Sequence, residues 1–173
     1  MLPNKGFFST LQTQSQQVNK NKIEMEKVEM NQEARLSEHF TLGELCKTSV
    51  KGVDNTPPHA AVLNLKRLCQ EWLEPLRQAQ GPIIINSGYR SEAVNKAIGG
   101  VAGSNHLAGC AVDIHVDGIE QALRYAVILL DESDENHLDF DELLIERSPK
   151  GTYWIHFAVR PSGNRRKVRF IQT

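Results

Sequence analysis

From Ser104 to His115 the chain reads SNHLAGCAVDIH, a short run holding two histidines and an aspartate. A further histidine, His156, lies well downstream in YWIHFAV. Imidazole nitrogen and carboxylate oxygen are donors that Zn²⁺ accepts in a tetrahedron, with a position kept for water where the site is catalytic. His106 precedes a glycine, Gly109, that lets its loop bend sharply before the next segment. His106, Asp113 and His156 could therefore form a metal site from separate elements. Spacing alone leaves a second reading open, in which these are two surface histidines and a strand-edge aspartate.

The elements that would have to position them alternate in the manner of strands. In AVDIHV, Ala111, Asp113 and His115 share one face, and Val112, Ile114 and Val116 the other. In YWIHFAV, Trp154, His156 and Ala158 oppose Ile155, Phe157 and Val159; in DELLIE, Glu142, Leu144 and Glu146 share a face. Each segment offers polar groups on one side and mostly apolar groups on the other. The apolar sides are expected to face helices and the polar sides to converge on a cleft. Cys110 falls on the strand face opposite Asp113, which removes it as a ligand.

Upstream, Thr41 with Glu44 reads as a capping box that opens a short helix. Thr56 with Pro57 reads as the cap and first position of the next. That helix, AAVLNLKRLCQEWLEPLRQAQ, repeats Val62, Leu65, Leu68, Cys69, Trp72, Leu73 and Leu76 at helical steps, and Pro75 predicts a late kink. PIIIN reads as a short buried strand, SGYRSEAVNKAIGG as a turn and short helix, and GIEQALRYAVILLD as a helix with Asp117 near its cap. The acidic run 131–142 reads as a solvated loop, and the basic end RPSGNRRKVRFIQT as an added edge strand. Helices first, then strands joined by one helix, give an α+β fold: a small antiparallel or mixed sheet carrying the site, with helices on one face. Residues 1–34, rich in Gln, Asn, Lys and Glu, read as a disordered tail with room for a short helix at KIEMEKVEM. Residues 35–173 read as a single domain, and Met25 or Met30 could equally be the true start.

Composition narrows the function classes. Twenty Lys+Arg against 21 Asp+Glu give no electrostatic case for nucleic acid or a membrane surface. No apolar run approaches the ~20 residues that span a bilayer, and GFFSTL is too short for a signal peptide. Three cysteines without CxxC spacing argue against a disulfide framework or a thiolate zinc knuckle.

In order along the chain, SGYRS, GSNHLAGCAVDIH and WIHFAV resemble the zinc D-alanyl-D-alanine carboxypeptidase family, which includes phage peptidoglycan peptidases and vancomycin-resistance D,D-dipeptidases and shares its fold with Hedgehog signalling domains. The likeness extends upstream through LSEHFTLGELCKTS and DNTPP and covers roughly residues 36–160. It implies one zinc per chain on His106, Asp113 and His156, and Glu146 as general base, with Glu142 the fallback. It also implies Arg90 as a clamp for a substrate carboxylate, Ser104 as a substrate hydrogen-bonding group and Trp154 as a cleft wall. His115 is left between a supporting role beside Asp113 and the sheet edge, whereas His39, His59 and His137 read as surface residues. The implied reaction is hydrolysis of peptidoglycan stem peptides by metal-activated water, as a D,D-carboxypeptidase or an endopeptidase of the L-Ala-D-Glu type. The alternative is a non-catalytic zinc module that binds cell-wall peptide or a protein partner. The expected enzyme is a monomer without nucleic-acid or membrane partners. It would be made in the cytoplasm and act on the wall by phage-type release or an unrecognised export route.

Overall fold

The alternating segments become adjacent strands of one sheet. A computed structural model describes residues 33–172. The KIEMEKVEM helix, both alternative starts and nearly all of the expected tail lie outside those residues. Of the tail only Glu33 and Ala34 are described, and Ala34 already packs against the core, its carbonyl accepting the Leu42 N–H at 2.9 Å.

The sheet has five strands: β1 (Ile85–Ser87), β2 (Ala111–His115), β3 (Glu142–Arg147), β4 (Tyr153–Ala158) and β5 (Lys167–Gln172). They lie in the order β1-β2-β4-β3-β5, antiparallel except for β3 and β5, which run parallel. The expected mixed sheet and the added basic edge strand are both present. The helices are α1 (Leu42–Leu45), α2 (His59–Leu68), α3 (Glu74–Gln80), α4 (Glu92–Ala97) and α5 (Ile119–Glu135). Among the described residues no helix is long and apolar enough to cross a membrane.

Local chemistry explains where the elements depart from expectation. Thr41 caps α1, accepting the Glu44 N–H at 3.3 Å. Thr56 does not cap α2, which begins at His59 behind Pro58. A cap at Thr56 would face Pro58 at the second helical position, which has no N–H to give. Thr56 instead bonds Asp54 Oδ1 through both its N–H and its hydroxyl, at 2.9 and 2.6 Å. At Pro75 the helix is irregular, and the irregularity is a π turn just ahead of the proline. A single π turn, Cys69–Leu73, joins α2 to α3 and places Pro75, which has no N–H to give the preceding turn, directly after the change of helical pitch.

PIIIN is only partly buried: the strand starts at Ile85, and Ile84 is exposed between buried Ile83 and Ile85. Asp117 stands next to the cap of α5, as expected, and the cap itself is Gly118, whose φ of 90° suits glycine. The acidic run is not a solvated loop. Asp131–Glu135 complete α5, Phe140 and Asp141 are fully buried, and Glu142 opens β3. Two buried partners, Ser133 and Phe140, interrupt the acids, so the chain must turn inward there.

The reverse face of the sheet carries Val112, Ile114, Leu143, Ile145, Ile155 and Phe157 into the core. The π turn presses Trp72 onto it, its ring 4.9 Å from Phe157 and edge-on to Phe140 at 6.2 Å. Truncating a fully buried Trp leaves a cavity and typically costs about 3–5 kcal/mol. Trp72→Ala is therefore expected to lower the urea midpoint by an amount equivalent to about 3–5 kcal/mol, and Trp72→Phe by clearly less; equal midpoints for the two would show that this contact does not hold helix to sheet.

Candidate metal centre

Strand register fixes the floor of the site. Asp113 on β2 lies opposite His156 on β4, with Ser87 beyond it on β1 and Leu144 on β3 at the other side. One row away, His115, Trp154, Glu146 and Ile171 line up across β2, β4, β3 and β5. In the opposite row stand Ala111, Ala158, Glu142 and Lys167. These side chains share the face turned away from the core, as the alternation predicts.

His106 arrives from outside the sheet, on a 3₁₀ turn over Asn105–Ala108. Ser104 caps the turn by accepting the His106 N–H at 3.3 Å. Gly109 ends it with a φ of 67°, and a Cβ there would lie 2.4 Å from the Ala61 carbonyl oxygen. Both the torsion and the close approach to α2 require glycine. His106 Nδ1 lies 2.6 Å from the Gly88 carbonyl, which can only accept, so Nδ1 carries the proton and Nε2 turns its lone pair inward.

Three donor atoms then face one another. His106 Nε2 is 3.2 Å from His156 Nδ1 and 3.3 Å from Asp113 Oδ1, and His156 Nδ1 is 3.0 Å from the same oxygen. A tetrahedral ion with bonds of ~2.0–2.1 Å has donor–donor edges of ~3.3 Å. The triangle therefore has the size of one face of such a site, and the donor types fit a metal ion. All three residues are buried, and among the described residues they form the converging group that could hold a metal.

The surroundings orient these donors. Asp113 offers Oδ1 to the imidazoles and Oδ2 to the Arg90 guanidinium, whose Nε also donates to Ser87 Oγ at 2.8 Å. Glu142 Oε2 sits 3.6 Å from His156 Nε2 and leaves Nδ1 for the metal side. Burial opposes ionisation of Asp113, yet His106 and His156 beside it hold its carboxyl well below the usual carboxylate range. Burial also works against charge on His156, but Asp113 and Glu142 together push it up to about 9.

The remaining expected residues line one cleft of about 850 Å³ with the triad: Arg90, Ser104, Glu146 and Trp154. His115 has its Nε2 3.3 Å from Asp117 Oδ1 and is not among the residues lining the cleft. Cys110 is buried with its Sγ directed at the Ala108 carbonyl, apart from the donors. His39, His59 and His137 are exposed.

Other residues that serve the site have no motif to announce them. Asn55 donates to the Tyr89 carbonyl at 3.1 Å and accepts the Ser91 N–H at 2.7 Å, gripping the backbone on both sides of Arg90. Asp141, hidden in the acidic run, binds Asn105 at 2.9 Å, next to the ligand His106. Arg160, Arg165 and Lys167 form a basic wall of the cleft. The signal for Asp141 was the apolar step Leu138–Phe140 beside it, which marks entry into a buried strand.

A raised His156 pKa means the metal-free site holds a proton on that ring up to about pH 9, and a metal must displace it. Metal uptake at pH 7.5 is thus expected to release about one proton, and affinity to rise roughly tenfold per pH unit until the slope flattens near pH 9. Calorimetry in buffers of different ionisation enthalpy measures both; a proton count near zero would remove the charged His156 from the metal-free state.

Residues 38–135 match the peptidase M15 family, which takes in His106 and Asp113 but stops short of Glu146 and His156. No curated protein matches the chain. The matched span thus contains two of the three converging residues, and the β2–β4 register brings the third to them. The chain belongs to the peptidase M15 family, metallopeptidases of the zinc D-Ala-D-Ala carboxypeptidase type.

Proposed function

We propose that this chain is a zinc-dependent hydrolase of peptide bonds in peptidoglycan stem peptides, acting as a D,D-carboxypeptidase or an endopeptidase. The observation that carries the reading is the buried triangle of His106, Asp113 and His156, opening on a cleft that also holds Glu146. Two nitrogens and one oxygen suit zinc and leave one tetrahedral position over. Zinc held there supplies the Lewis acidity that activates water and polarises a scissile carbonyl.

The electrostatics of two glutamates on one face support a division of roles. The His156 ring, then the Lys167 ammonium, hold Glu142 down at about 2, so it stays ionised and steadies His156. Glu146 is half-buried and makes no direct ion pair among the described residues, and its burial pushes its carboxyl up. Environments that separate two carboxylates in this way favour the raised one as proton carrier. Glu146 takes a proton from the attacking water and hands it to the leaving amine. Arg90 pairs with an acidic group of the substrate, Ser104 hydrogen-bonds it, and Trp154, opposite Glu146 in the sheet, walls the cleft. Under this reading the enzyme works as a monomer at the cell wall, with residues 35–173 as its single domain.

Digestion of defined muropeptides followed by mass spectrometry tests the reading and identifies the bond. Glu146→Gln is expected to keep about one zinc per chain and lose about 10²–10⁴-fold in cleavage rate. Undiminished cleavage by that variant would exclude Glu146 as the base. Absence of cleavage by the zinc-loaded parent protein would favour the non-catalytic binding module instead.

A further inference from the structure

The cleft is strongly asymmetric. Its lining includes the exposed apolar side chains of Ile98 and Val101, and a basic wall formed by Arg160 and the segment entering β5. That wall stacks charges in two layers. Below lie the carboxylates: Asp141, whose side chain is 0% exposed, and Glu142, at 14%. Above them lie the cations, with Arg160, Arg165 and Lys167 side chains 34%, 50% and 30% exposed. Arg165 forks onto Asp141 through Nε at 2.8 Å and a terminal nitrogen at 2.7 Å, and Arg160 reaches the same carboxylate at 2.6 Å. Glu142 takes Lys167 and Arg165, each at 2.9 Å. The three cations exceed these two acids by one charge, and all three line the cleft. Asp141 is buried and Glu142 largely so, and these anchors hold the cations in place before any ligand arrives.

The backbone between them is also fixed. Arg166 has a φ of 48°, in the left-handed region that non-glycine residues avoid. It is held there by its N–H on the Phe140 carbonyl at 2.9 Å, by its guanidinium on Ser133 Oγ at 2.6 Å and on Asp134, and by stacking 5.3 Å above the Phe140 ring. Strained backbone of this kind persists only where its surroundings over-determine it, and it is concentrated at ligand clamps. Its consequence here is that Arg165 and Lys167, on either side, stay turned to the cleft.

The wall also stands close to the metal ligands. Glu142 spans the gap, one oxygen 3.6 Å from His156 Nε2 and the other 2.9 Å from Lys167 Nζ. Joined through the two oxygens of one carboxylate, His156 Nε2 and Lys167 Nζ are no more than ~9 Å apart, the reach of about three residues of extended peptide at ~3.3 Å each.

We propose that Arg160, Arg165 and Lys167 form a second anion subsite, which binds a free carboxylate on the substrate peptide two or three residues from the bond that is cut. It rests on the peptidase reading above and narrows it to anionic peptides whose small apolar side chains lie along Ile98 and Val101. Guanidinium and ammonium groups held in a partly desolvated wall discriminate a carboxylate from its neutral amide by charge-assisted hydrogen bonds.

The test uses two synthetic stem peptides that differ only in a free carboxylate or a carboxamide at that position. Their dissociation constants are measured by calorimetry on the zinc-loaded Glu146→Gln protein, and their cleavage on the zinc-loaded parent. The carboxylate peptide is expected to bind about tenfold or more tightly than the amide. Adding Lys167→Gln should shrink that ratio, and adding Arg165→Gln as well should shrink it further. Lys167 makes no bond to the buried Asp141 side chain, so the Lys167→Gln variant reads the subsite even where loss of Arg165 disturbs folding. Equal binding of acid and amide, or an unchanged ratio in the Lys167→Gln protein, overturns the subsite. Failure of the parent to cleave either peptide, with the binding ratio intact, counts instead against the peptidase reading and leaves the anion subsite standing.

Discussion

Asp113 and His156 face each other across β2 and β4, on the side of the sheet away from the core. That register is the constraint on which the centre depends, because side chains alternate with period two. A slip of one residue in either strand would send its ligand into the apolar layer and bring Ile114 or Phe157 to the cleft. The reverse face prevents the slip. Val112, Ile114, Ile155 and Phe157 are fully buried there, and Trp72 from the π turn packs against Phe157. The hydrophobic core thus sets the metal geometry indirectly, by making every other register costly.

The third donor needs a different solution, since His106 is not on a strand. Its position comes from a chain of local requirements: Ser104 capping the 3₁₀ turn, glycine at 109 against the Ala61 carbonyl, and the Gly88 carbonyl fixing the ring. Gly88 is itself pressed against α1, where a Cβ would lie 2.3 Å from the Leu45 carbonyl oxygen. The Tyr89 N–H donates to that same oxygen at 2.7 Å, and Asn55 holds the backbone on both sides of Arg90. Short helix, loop and site are therefore one mechanical unit, and the N-terminal elements have a role beyond covering the core.

Charge is distributed with the same economy. A buried carboxylate without partners would be strongly unfavourable, and Asp141 is fully buried. It is satisfied by Arg160, Arg165 and Asn105, which hold it well below the usual carboxylate range against the opposing effect of burial. Through Asn105 it touches the turn that presents His106, and through the arginines it organises the wall leading to β5. The adjacent Glu142 is likewise tied to cations, whereas Glu146, four residues on along the same strand face, is not. Identical side chains on one strand therefore carry different protonation tendencies.

By itself the sequence determined the parts whose physics is local. Alternation in AVDIHV, DELLIE and YWIHFAV assigned faces, and the α+β class followed from the order of elements; the motif resemblance named the three donors. Helix ends were legible where a cap was local, as at Thr41, and misread where a competitor stood two residues away, as at Thr56 with Asp54. The π turn ahead of Pro75 and the grip of Asn55 were not legible, and the buried end of the acidic run was marked only by Leu138 and Phe140 beside it. Each depends on partners far along the chain: Trp72 on Phe140 and Phe157, Asp141 on Arg160 and Arg165, Asn55 on Tyr89 and Ser91. Only the tertiary structure decided these, because burial and long-range pairing set whether a carboxylate is a solvated surface group or a fixed charge, and periodicity carries no record of either.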